Sequence, residues 1–351
     1  MPLTSWADLA MAGLSHREAK VALRERLSIK AGELPAALDE LGRDGTLAGV
    51  VAVSTCNRLD LYASARDGEA AVRSLSAFFA RRCPGVEKVL AARRGADALR
   101  HLFRVAAGLD SIVVGEHQVL GQVKAAYQQS VETGHADKLL NKVFQAAFAA
   151  GKQVRACTGI SQGISSCGGA AVAMAEKILS CGEGPRRVLL VGAGKMAETA
   201  AQHMLDRPRA SLTIANRDVE RARELAGRFA ARAVSLEEGM AAIGDMDVII
   251  ASTACPHYVV TKDRLAELAL RRGGRPLVVI DLGVPRNVDP ASAGLPGVHL
   301  YDVDDLEAVI AGSLARRRGE IEAAEAILSV LSGELCASLS CEPAPAGLEL
   351  L

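Results

Sequence analysis

Aromatic side chains are scarce in this sequence, and so is any excess of charge. Only 3% of the 351 residues are Phe, Trp or Tyr, so the chain lacks the stacking platforms with which many proteins bind single-stranded nucleic acids. Lys plus Arg and Asp plus Glu both number 41, which gives a formal net charge of zero. Neutrality leaves room for a local basic face, but it removes the overall signal of a nucleic-acid-binding protein.

Paired cysteines, a leader segment and long apolar runs are also missing. The eight cysteines include no CxxC pair and no Cys/His cluster with zinc spacing, so we expect reduced thiols and no metal site. The N-terminus has no basic segment before an apolar one, and there is no run of about 18 apolar residues. These absences predict a cytoplasmic protein that does not span a membrane. The length is enough for two or three domains.

The stretch around Cys56 is the most informative part of the chain. An apolar run over residues 50–53 ends in a polar corner that holds Cys56, and an apolar alternation at Leu59 and Leu61 follows. This pattern predicts a strand, a tight turn and a second strand, with a thiol at the turn. Arg58 is expected to favour the thiolate, which is the nucleophilic form. Taken alone, the stretch also fits a small residue filling a turn, because most cysteines are buried and inert.

The overall pattern predicts an α/β protein with two main domains. Residues 1–157 are expected to form an α+β domain with the ferredoxin-like order β-α-β-β-α-β, followed by a helical extension. Its expected strands are residues 9–14, the two strands on either side of Cys56, and residues 88–91. Its expected helices are residues 69–82 and residues 17–43, the latter broken at Gly32 and Pro35. Residues 158–184 predict a linker and a connecting helix. Alternating strands and helices over residues 185–302 indicate a Rossmann domain. The remaining residues, 303–351, are expected to begin with a long charged helix over about 304–335.

A dinucleotide fingerprint opens the second domain. Gly192, Gly194 and Ala197 follow a predicted strand and begin a helix, the context that makes G-x-G-x-x-A meaningful. The next strand ends at Asn216 and Arg217, where an NAD site usually has an acidic residue and where an arginine suits a 2′-phosphate. We therefore expect NADP(H), although a ligand-free glycine turn and a solvated arginine remain open. The expected cofactor-binding residues are Gly192, Ala193, Gly194, Lys195, Met196, Ala197, Asn216 and Arg217.

A histidine, a polar loop and a second cysteine are further candidates. His101 lies in an amphipathic helix, where a lone histidine is more often structural, yet histidine is also the usual proton mediator near neutral pH. The glycine-punctuated loop over 108–122 carries Ser111, Glu116, Gln118 and Gln122, which all suit the ammonium or carboxylate of an amino acid. Cys255 follows another predicted strand and is a rival nucleophile, but its neighbours place it nearer a nicotinamide than a substrate pocket.

Together these motifs resemble the glutamyl-tRNA reductase family, whose members make glutamate-1-semialdehyde for tetrapyrrole synthesis. The resemblance spans roughly residues 9–330. Matching motifs run in order through 13–16, 54–58, 108–111, 115–122, 191–194, 215–217 and 300–305. It implies NADPH as cofactor, glutamyl-tRNA(Glu) as substrate, Cys56 as the nucleophile that forms a thioester, and His101 as the histidine needed near it. It implies that the glutamyl group is surrounded by Thr55, Asn57, Arg58, Ser111, Glu116, His117, Gln118 and Gln122.

The sequence departs from the family pattern at several positions. His117 replaces a usual proline, Asp60 replaces a usual glutamate, and Gly283 stands where alanine is common. Family members usually continue past the long helix into a helical dimerisation domain that also grips tRNA, whereas this chain stops at residue 351. A homodimer and unaltered tRNA binding are therefore open, and glutamate-1-semialdehyde aminomutase is a candidate partner.

Two other functions fit parts of the sequence. A non-catalytic paralogue that binds glutamyl-tRNA, haem or a partner enzyme has no need of a thiol in the polar corner of Cys56. An NADP-dependent reductase of a small free acid, related to shikimate dehydrogenases, leaves the loop over 108–122 and the first 150 residues unexplained. The predicted activity is therefore the first step of the C5 route to 5-aminolevulinate.

Overall fold

The computed structural model describes residues 8–30, 32–43, 45–116, 118–161, 167–179, 186–205, 210–306 and 318–340. Their contacts divide the chain into two compact units. Unit 1 consists of residues 1–163 and 315–351, and unit 2 of residues 164–314. The mixed α/β class predicted from the sequence is confirmed. The functional boundaries predicted for the domains stay a prediction.

Unit 1 begins with the predicted α+β arrangement. Its strands are β1 (Leu9–Ser15), β2 (Gly49–Ser54), β3 (Arg58–Ser64) and β4 (Ala91–Arg94). Its helices are α1 (Val21–Leu27), α2 (Leu34–Gly42), α3 (Gly68–Arg82), α4 (Gly95–Ala107), α5 (Gln118–Glu132) and α6 (Lys138–Cys157). Capping fixes several ends: the carboxylate of Asp67 accepts hydrogen bonds from the first turn of α3, and Gly108 in the left-handed region ends α4.

The sheet of unit 1 is antiparallel, with the strand order β2-β3-β1-β4 of a ferredoxin-like fold. Alternation along β3 places Leu59 and Leu61 in the apolar core that α1, α2 and α3 cover. Arg58, Asp60 and Tyr62 therefore point to the opposite face, where Tyr62 packs edge-on against Phe144 of α6 at a centroid distance of 5.7 Å. One face of the sheet thus supports the fold, and the other carries buried polar groups.

Two local predictions in unit 1 were wrong. The strand expected over 88–91 is a 3-10 turn over Val86–Lys88 followed by β4, because the amide of Val89 bonds to the carbonyl of Val86 and closes a turn. The break expected at Gly32 within the helical stretch over 17–43 is confirmed, because Gly32 lies in a turn between α1 and α2. The break expected at Pro35 was wrong, because Pro35 lies in the first turn of α2. Proline is well tolerated there because its missing N–H has no intrahelical partner.

Unit 2 is a doubly wound sheet. Its strands are β5 (Arg186–Val191), β6 (Ala210–Asn216), β7 (Arg232–Ser235), β8 (Val248–Ala251), β9 (Leu277–Asp281) and β10 (Val298–Asp302). Its helices are α7 (Cys167–Leu179), α8 (Lys195–Leu205), α9 (Val219–Arg228), α10 (Leu236–Ala241) and α11 (Lys262–Arg271). All neighbouring strands are parallel in the order β10-β9-β8-β5-β6-β7. The order reverses between β5 and β8, which is where such sheets bind nucleotides.

The last described helix, α12 (Arg318–Ser340), belongs to unit 1. Arg104 of α4 forms an ion pair with Glu325, and the amide of Gly159 donates to the carboxylate of Glu320 over 2.5 Å. The predicted start of this helix, residue 304, lies in a turn over residues 303–305. Residues 307–317 lie outside the described part of the chain. By length and composition α12 is apolar enough to cross a membrane, which for a single helix is weak evidence.

Candidate functional site

The corner between β2 and β3 holds Cys56 in a fixed backbone. The amide of Thr55 bonds to the carbonyl of Arg58 over 2.8 Å, and the amide of Asn57 bonds to the Thr55 hydroxyl over 3.1 Å. The buried guanidinium of Arg24 donates to the carbonyl of Cys56 over 3.2 Å. The Cys56 side chain is half-buried. Asn57, in contrast, is buried, and within the described residues its side-chain oxygen has no hydrogen-bond partner.

The thiol of Cys56 is neutral at physiological pH. Burial raises its pKa to about 12, and the negative charge of Glu116 contributes in the same direction. Arg24 and Arg58 lower the pKa, as the sequence suggested for Arg58, but burial and Glu116 outweigh them. A reaction through this thiol therefore needs a change that stabilises the thiolate when substrate binds.

Arg58 is enclosed by carboxylates. Its side chain is 1% exposed and forms ion pairs with Asp60 at 2.9 Å and Asp110 at 3.0 Å. It also donates to the main-chain carbonyl of Asp110. Asp110 forms a further ion pair with Arg17 at 3.0 Å. Burial disfavours the charge of Asp110, but Arg58 and Arg17 hold its pKa below the usual range. The network joins the end of the Cys56 corner to the loop after α4.

His101 of α4 lies beside the same network. Its Nδ1 is 2.8 Å from the Tyr62 hydroxyl, and its Nε2 is 3.8 Å from Oδ2 of Asp110. Burial first, and then the charge of Arg58, lowers the pKa of His101 to about 3. The imidazole is therefore neutral. When Tyr62 donates to Nδ1, the remaining proton sits on Nε2 and faces Asp110.

We expect His101 to stay neutral well below pH 6.5 in the folded protein. The unfolded chain binds this proton below about pH 6.5, whereas the folded chain binds it only near its pKa of about 3. Stability from His101 is therefore lost as the pH falls from 6.5 towards 3. Nuclear magnetic resonance titration of the imidazole, assigned by comparison with His101→Gln, should show no titration between pH 8 and 5. A midpoint near 6.5 would contradict the buried, neutral state.

The loop over 108–122 is only partly gathered around the corner. Ser111 and Glu116 are buried, and Glu116 lies close enough to shift the Cys56 thiol. Gln118 is half-buried and Gln122 exposed on the first two turns of α5. His117 lies outside the described residues. Gly115 has a positive φ of 83°, and a Cβ there would overlap the carbonyl of Ile160. Only glycine fits this position, which sets the path of the loop.

A polar cavity of about 430 Å³ opens on the His101 side of the network. His101, Asp60 and Asp110 contribute to its lining, and Cys56 does not. Four arginines also line it: Arg17, Arg93, Arg100 and Arg104. Sequence reasoning missed these arginines, because they come from separate elements and form no motif. Asp110 lies within the motif over 108–111 but was not chosen as a site residue.

A second cavity, of about 470 Å³, lies in unit 2 at the reversal of strand order. Among the predicted cofactor residues, its lining includes Gly192, Ala193, Gly194, Asn216 and Arg217. The other three, Lys195, Met196 and Ala197, form the first turn of α8 and are not among its lining residues. Arg221, in the first turn of α9, also lines the cavity and was missed by sequence reasoning.

The turn after β5 approaches the loop after β8. Gly192 has φ of 110°, and a Cβ there would overlap the carbonyl of Ser252. Nothing lies within 4 Å of a Cβ built on Gly194, so the backbone there faces open space. Cys255 lines this cavity, with its sulfur 3.6 Å from a guanidinium nitrogen of Arg217 and 3.3 Å from Nε2 of His257.

No group of three or more metal-ligating side chains occurs in the described part of the chain.

Two family models match the sequence. One, described as glutamyl-tRNAGlu reductase, N-terminal domain, covers residues 12–158, and one described as shikimate/quinate 5-dehydrogenase covers 173–309.

Full-length relatives are also similar. The chain is 42% identical over 336 residues to glutamyl-tRNA reductase of Deinococcus radiodurans, which covers 95% of this chain and 94% of that protein. The enzyme of that name from Desulforudis audaxviator is 42% identical over 326 residues, covering 91% and 72%. Among solved structures, glutamyl-tRNA reductase from Methanopyrus kandleri is 34% identical, with a TM-score of 0.53, and covers 95% of this chain and 80% of that one.

Proposed function

The chain belongs to the glutamyl-tRNA reductase family, and on that premise we propose that it reduces glutamyl-tRNA(Glu) to glutamate-1-semialdehyde with NADPH through a thioester on Cys56. The resemblance inferred from the sequence motifs is confirmed, and with it the family's place in tetrapyrrole synthesis. The observation that carries the thioester is the half-buried Cys56 thiol, held in a rigid corner with Glu116 and the Arg58 network around it.

The proposed chemistry has two stages. The Cys56 sulfur forms a bond to the ester carbonyl carbon, the bond from that carbon to the ribose oxygen breaks, and the ribose hydroxyl of tRNA leaves with a proton. When bound, NADPH supplies the hydride that reduces the acyl carbon. The carbon–sulfur bond then breaks, and the thiolate returns as the aldehyde forms. The proton that the Cys56 thiol gives up goes to the departing ribose oxygen, and His101, as a neutral imidazole, donates a hydrogen bond from Nε2.

Recognition of the glutamyl group is assigned to the corner and the loop. Thr55, Asn57 and Ser111 offer short polar side chains, and the unpaired oxygen of Asn57 suits an ammonium group. Arg58 suits the side-chain carboxylate of the substrate, but Asp60 and Asp110 already occupy its guanidinium. We infer that Asp110 gives up one contact to the incoming carboxylate and keeps its ion pair with Arg17. Gln118 and Gln122 are assigned to the rim.

Glu116 provides a means of activating the thiol. Its charge raises the pKa of Cys56, so an ammonium group that pairs with Glu116 cancels that effect. The α-ammonium of the glutamyl ester is such a group. We infer that substrate binding itself increases the thiolate fraction at Cys56, which links nucleophile activation to occupancy of the site.

Glu116→Gln is therefore expected to make the Cys56 thiol more reactive in the substrate-free enzyme and to raise the KM for glutamyl-tRNA. Removing the carboxylate lowers the pKa of Cys56, so its alkylation by iodoacetamide at pH 8 should be about three- to tenfold faster. The KM for glutamyl-tRNA should rise by about tenfold, because the ammonium loses its partner. Mass spectrometry of the Cys56 peptide measures the first effect. Glu132→Gln, an exposed change on α5, is the control, and equal rates in both variants would refute the coupling.

The residues of the second cavity fit NADPH. The glycine turn at 192–194 leaves backbone space for a pyrophosphate at the start of α8, and Ala197 is buried against the sheet. Arg217 and Arg221 bring two guanidinium groups to the cavity where a 2′-phosphate would lie. Asp218 lines it too, but its carboxylate caps α9. This donor set favours the phosphorylated nucleotide over NADH.

The raised pKa of Cys56 is the one observation that favours another function. A thiol that stays neutral is compatible with a non-catalytic paralogue that binds glutamyl-tRNA or a partner enzyme. The homodimer, the aminomutase partner and the cytoplasmic location remain predictions.

One assay separates the proposed reductase from the binding protein. Purified protein is supplied with charged glutamyl-tRNA and NADPH, and aldehyde formation is followed by trapping with a hydrazine. We expect multiple turnovers, at least about tenfold slower with NADH. Without NADPH, a glutamyl thioester or free glutamate should accumulate. Binding of glutamyl-tRNA without aldehyde, thioester or glutamate release would favour the paralogue and overturn the proposal.

A further inference from the structure

The segment after β9 is closed on itself by a buried carboxylate. Asp281 is 2% exposed and accepts hydrogen bonds from the amides of Gly283 at 2.9 Å and of Asn287 and Val288, both at 2.8 Å. Three backbone donors on one carboxylate fix the path of residues 282–288. The segment lies at the carboxyl ends of the parallel strands, beside the nucleotide cavity but outside its lining.

Asn287 connects this segment to the wall of the nucleotide cavity. It is completely buried, and its Oδ1 accepts a 2.6 Å hydrogen bond from the amide of Thr253. Its Nδ2 donates to the carbonyls of Thr253 at 3.3 Å and Pro285 at 3.4 Å. Its main-chain carbonyl accepts from the amides of Val259 and Val260. The Asn287 side chain thus satisfies both backbone groups of Thr253. The main chain of Asn287 also holds Val259 and Val260, at the other end of the loop that begins after β8.

Thr253 matters because it lines the cavity next to the phosphate-binding turn. A Cβ on Gly192 would lie 3.2 Å from the methyl group of Thr253 and overlap the carbonyl of Ser252. The glycine turn and the loop after β8 are therefore in direct contact. A shift of Thr253 changes the width of the cavity at the point where a pyrophosphate would enter.

Gly283 explains why the asparagine fits. A Cβ built on Gly283 would lie 2.6 Å from both Cγ and Oδ1 of Asn287, which is closer than real Cβ atoms approach other groups. A methyl group at position 283 therefore requires the Asn287 side chain to move from this position. Gly283 and Asn287 are a matched pair.

We propose that Asn287 is a positioning residue for NADPH, and that Gly283 is required because it leaves room for the asparagine side chain. Asn287 holds Thr253 against the Gly192 turn and so sets the shape of the cofactor cavity. The inference rests on the proposed function, because it presupposes NADPH in this cavity. It adds two residues that touch neither the cavity nor the reacting groups.

A double-mutant cycle tests the pair. Asn287→Ala is expected to weaken NADPH binding about tenfold, because Thr253 loses the partners of both backbone groups. Gly283→Ala is expected to have a similar effect, because the new methyl group displaces Asn287. In the double variant the methyl group has no side chain to displace, so binding should be no weaker than in Asn287→Ala alone. Kd values are measured by quenching of NADPH fluorescence, and folding is checked by circular dichroism.

Two further measurements separate positioning from general damage. The KM for NADPH should rise in the single variants while the KM for glutamyl-tRNA and the alkylation rate of Cys56 stay within twofold of the wild type. If Gly283→Ala weakened NADPH binding equally in the wild-type and the Asn287→Ala backgrounds, the inference would be overturned and the proposed function would stand. Wild-type NADPH affinity in Asn287→Ala would have the same consequence. A wild-type protein that binds no NADPH would overturn the proposed function, and the inference with it.

Discussion

Cys56→Ala is expected to lower the reduction of glutamyl-tRNA by about 10³-fold or more, because no other group at the corner can form the acyl intermediate. Incubation with glutamyl-tRNA in the absence of NADPH should add a glutamyl mass to the Cys56 peptide of the wild type and leave the variant unmodified. NADPH affinity should stay within twofold, because the nucleotide cavity lies in unit 2.

Cys157→Ser is the matched control for this experiment. Cys157 is an exposed thiol at the end of α6 in the same unit, so its loss should leave both activity and thioester formation within twofold. Full activity in Cys56→Ala would show that the thiol is not the nucleophile. A glutamyl adduct on another cysteine, with activity lost only when that one is replaced, would move the role elsewhere.

Arg58→Met is expected to destabilise unit 1 by about 3–5 kcal/mol. The change removes the ion-pair partner of Asp60, which is 1% exposed, and the ion pair of Arg58 with Asp110, and an orphaned buried charge is costly. Urea unfolding followed by circular dichroism measures the loss. Adding Asp60→Asn should recover a large part of it, because the neutral amide no longer requires a cation.

An exposed ion pair supplies the comparison for Arg58. Arg81 and Glu40 approach to 2.8 Å at the surface, with the arginine 54% exposed, so Arg81→Met should cost less than about 1 kcal/mol. Equal losses for Arg58→Met and Arg81→Met would mean that the buried network does not form. A stable Arg58→Met variant with a strongly raised KM for glutamyl-tRNA would assign Arg58 to substrate binding alone.

Local patterns in the sequence carried much of the fold. The alternation at Leu59 and Leu61 predicted β3 and, by implication, the opposite face on which Arg58 lies. The G-x-G-x-x-A fingerprint after an apolar run likewise predicted β5 and α8. The strand expected over 88–91 failed because a short apolar run does not distinguish a strand from a turn that packs against the core.

The site was less predictable than the fold. Residue type and context were enough to propose Cys56 and His101 as site residues, but the pairing of Arg58 with Asp110 spans 52 positions and leaves no periodic signal. The sequence also suggested that Arg58 activates the thiol, because a neighbouring cation is visible and burial is not. In unit 2, Arg217 was predicted from its position after β6. The bonds from Asn287 to Thr253 bridge 34 positions and became apparent only once β8 and β9 were adjacent.

The contacts of α12 with α4 have a consequence for synthesis on the ribosome. Unit 2 is one continuous segment, so all of its strands have emerged before the chain reaches α12. Unit 1 is discontinuous, and Glu325, the ion-pair partner of Arg104, is synthesised more than 200 residues after it. During translation the helical surface of α4 and α6 is therefore uncovered while the whole of unit 2 is being made, although the Cys56 corner is already complete. Nascent chains stalled before α12 thus carry the complete Cys56 corner on a unit that still lacks its last helix.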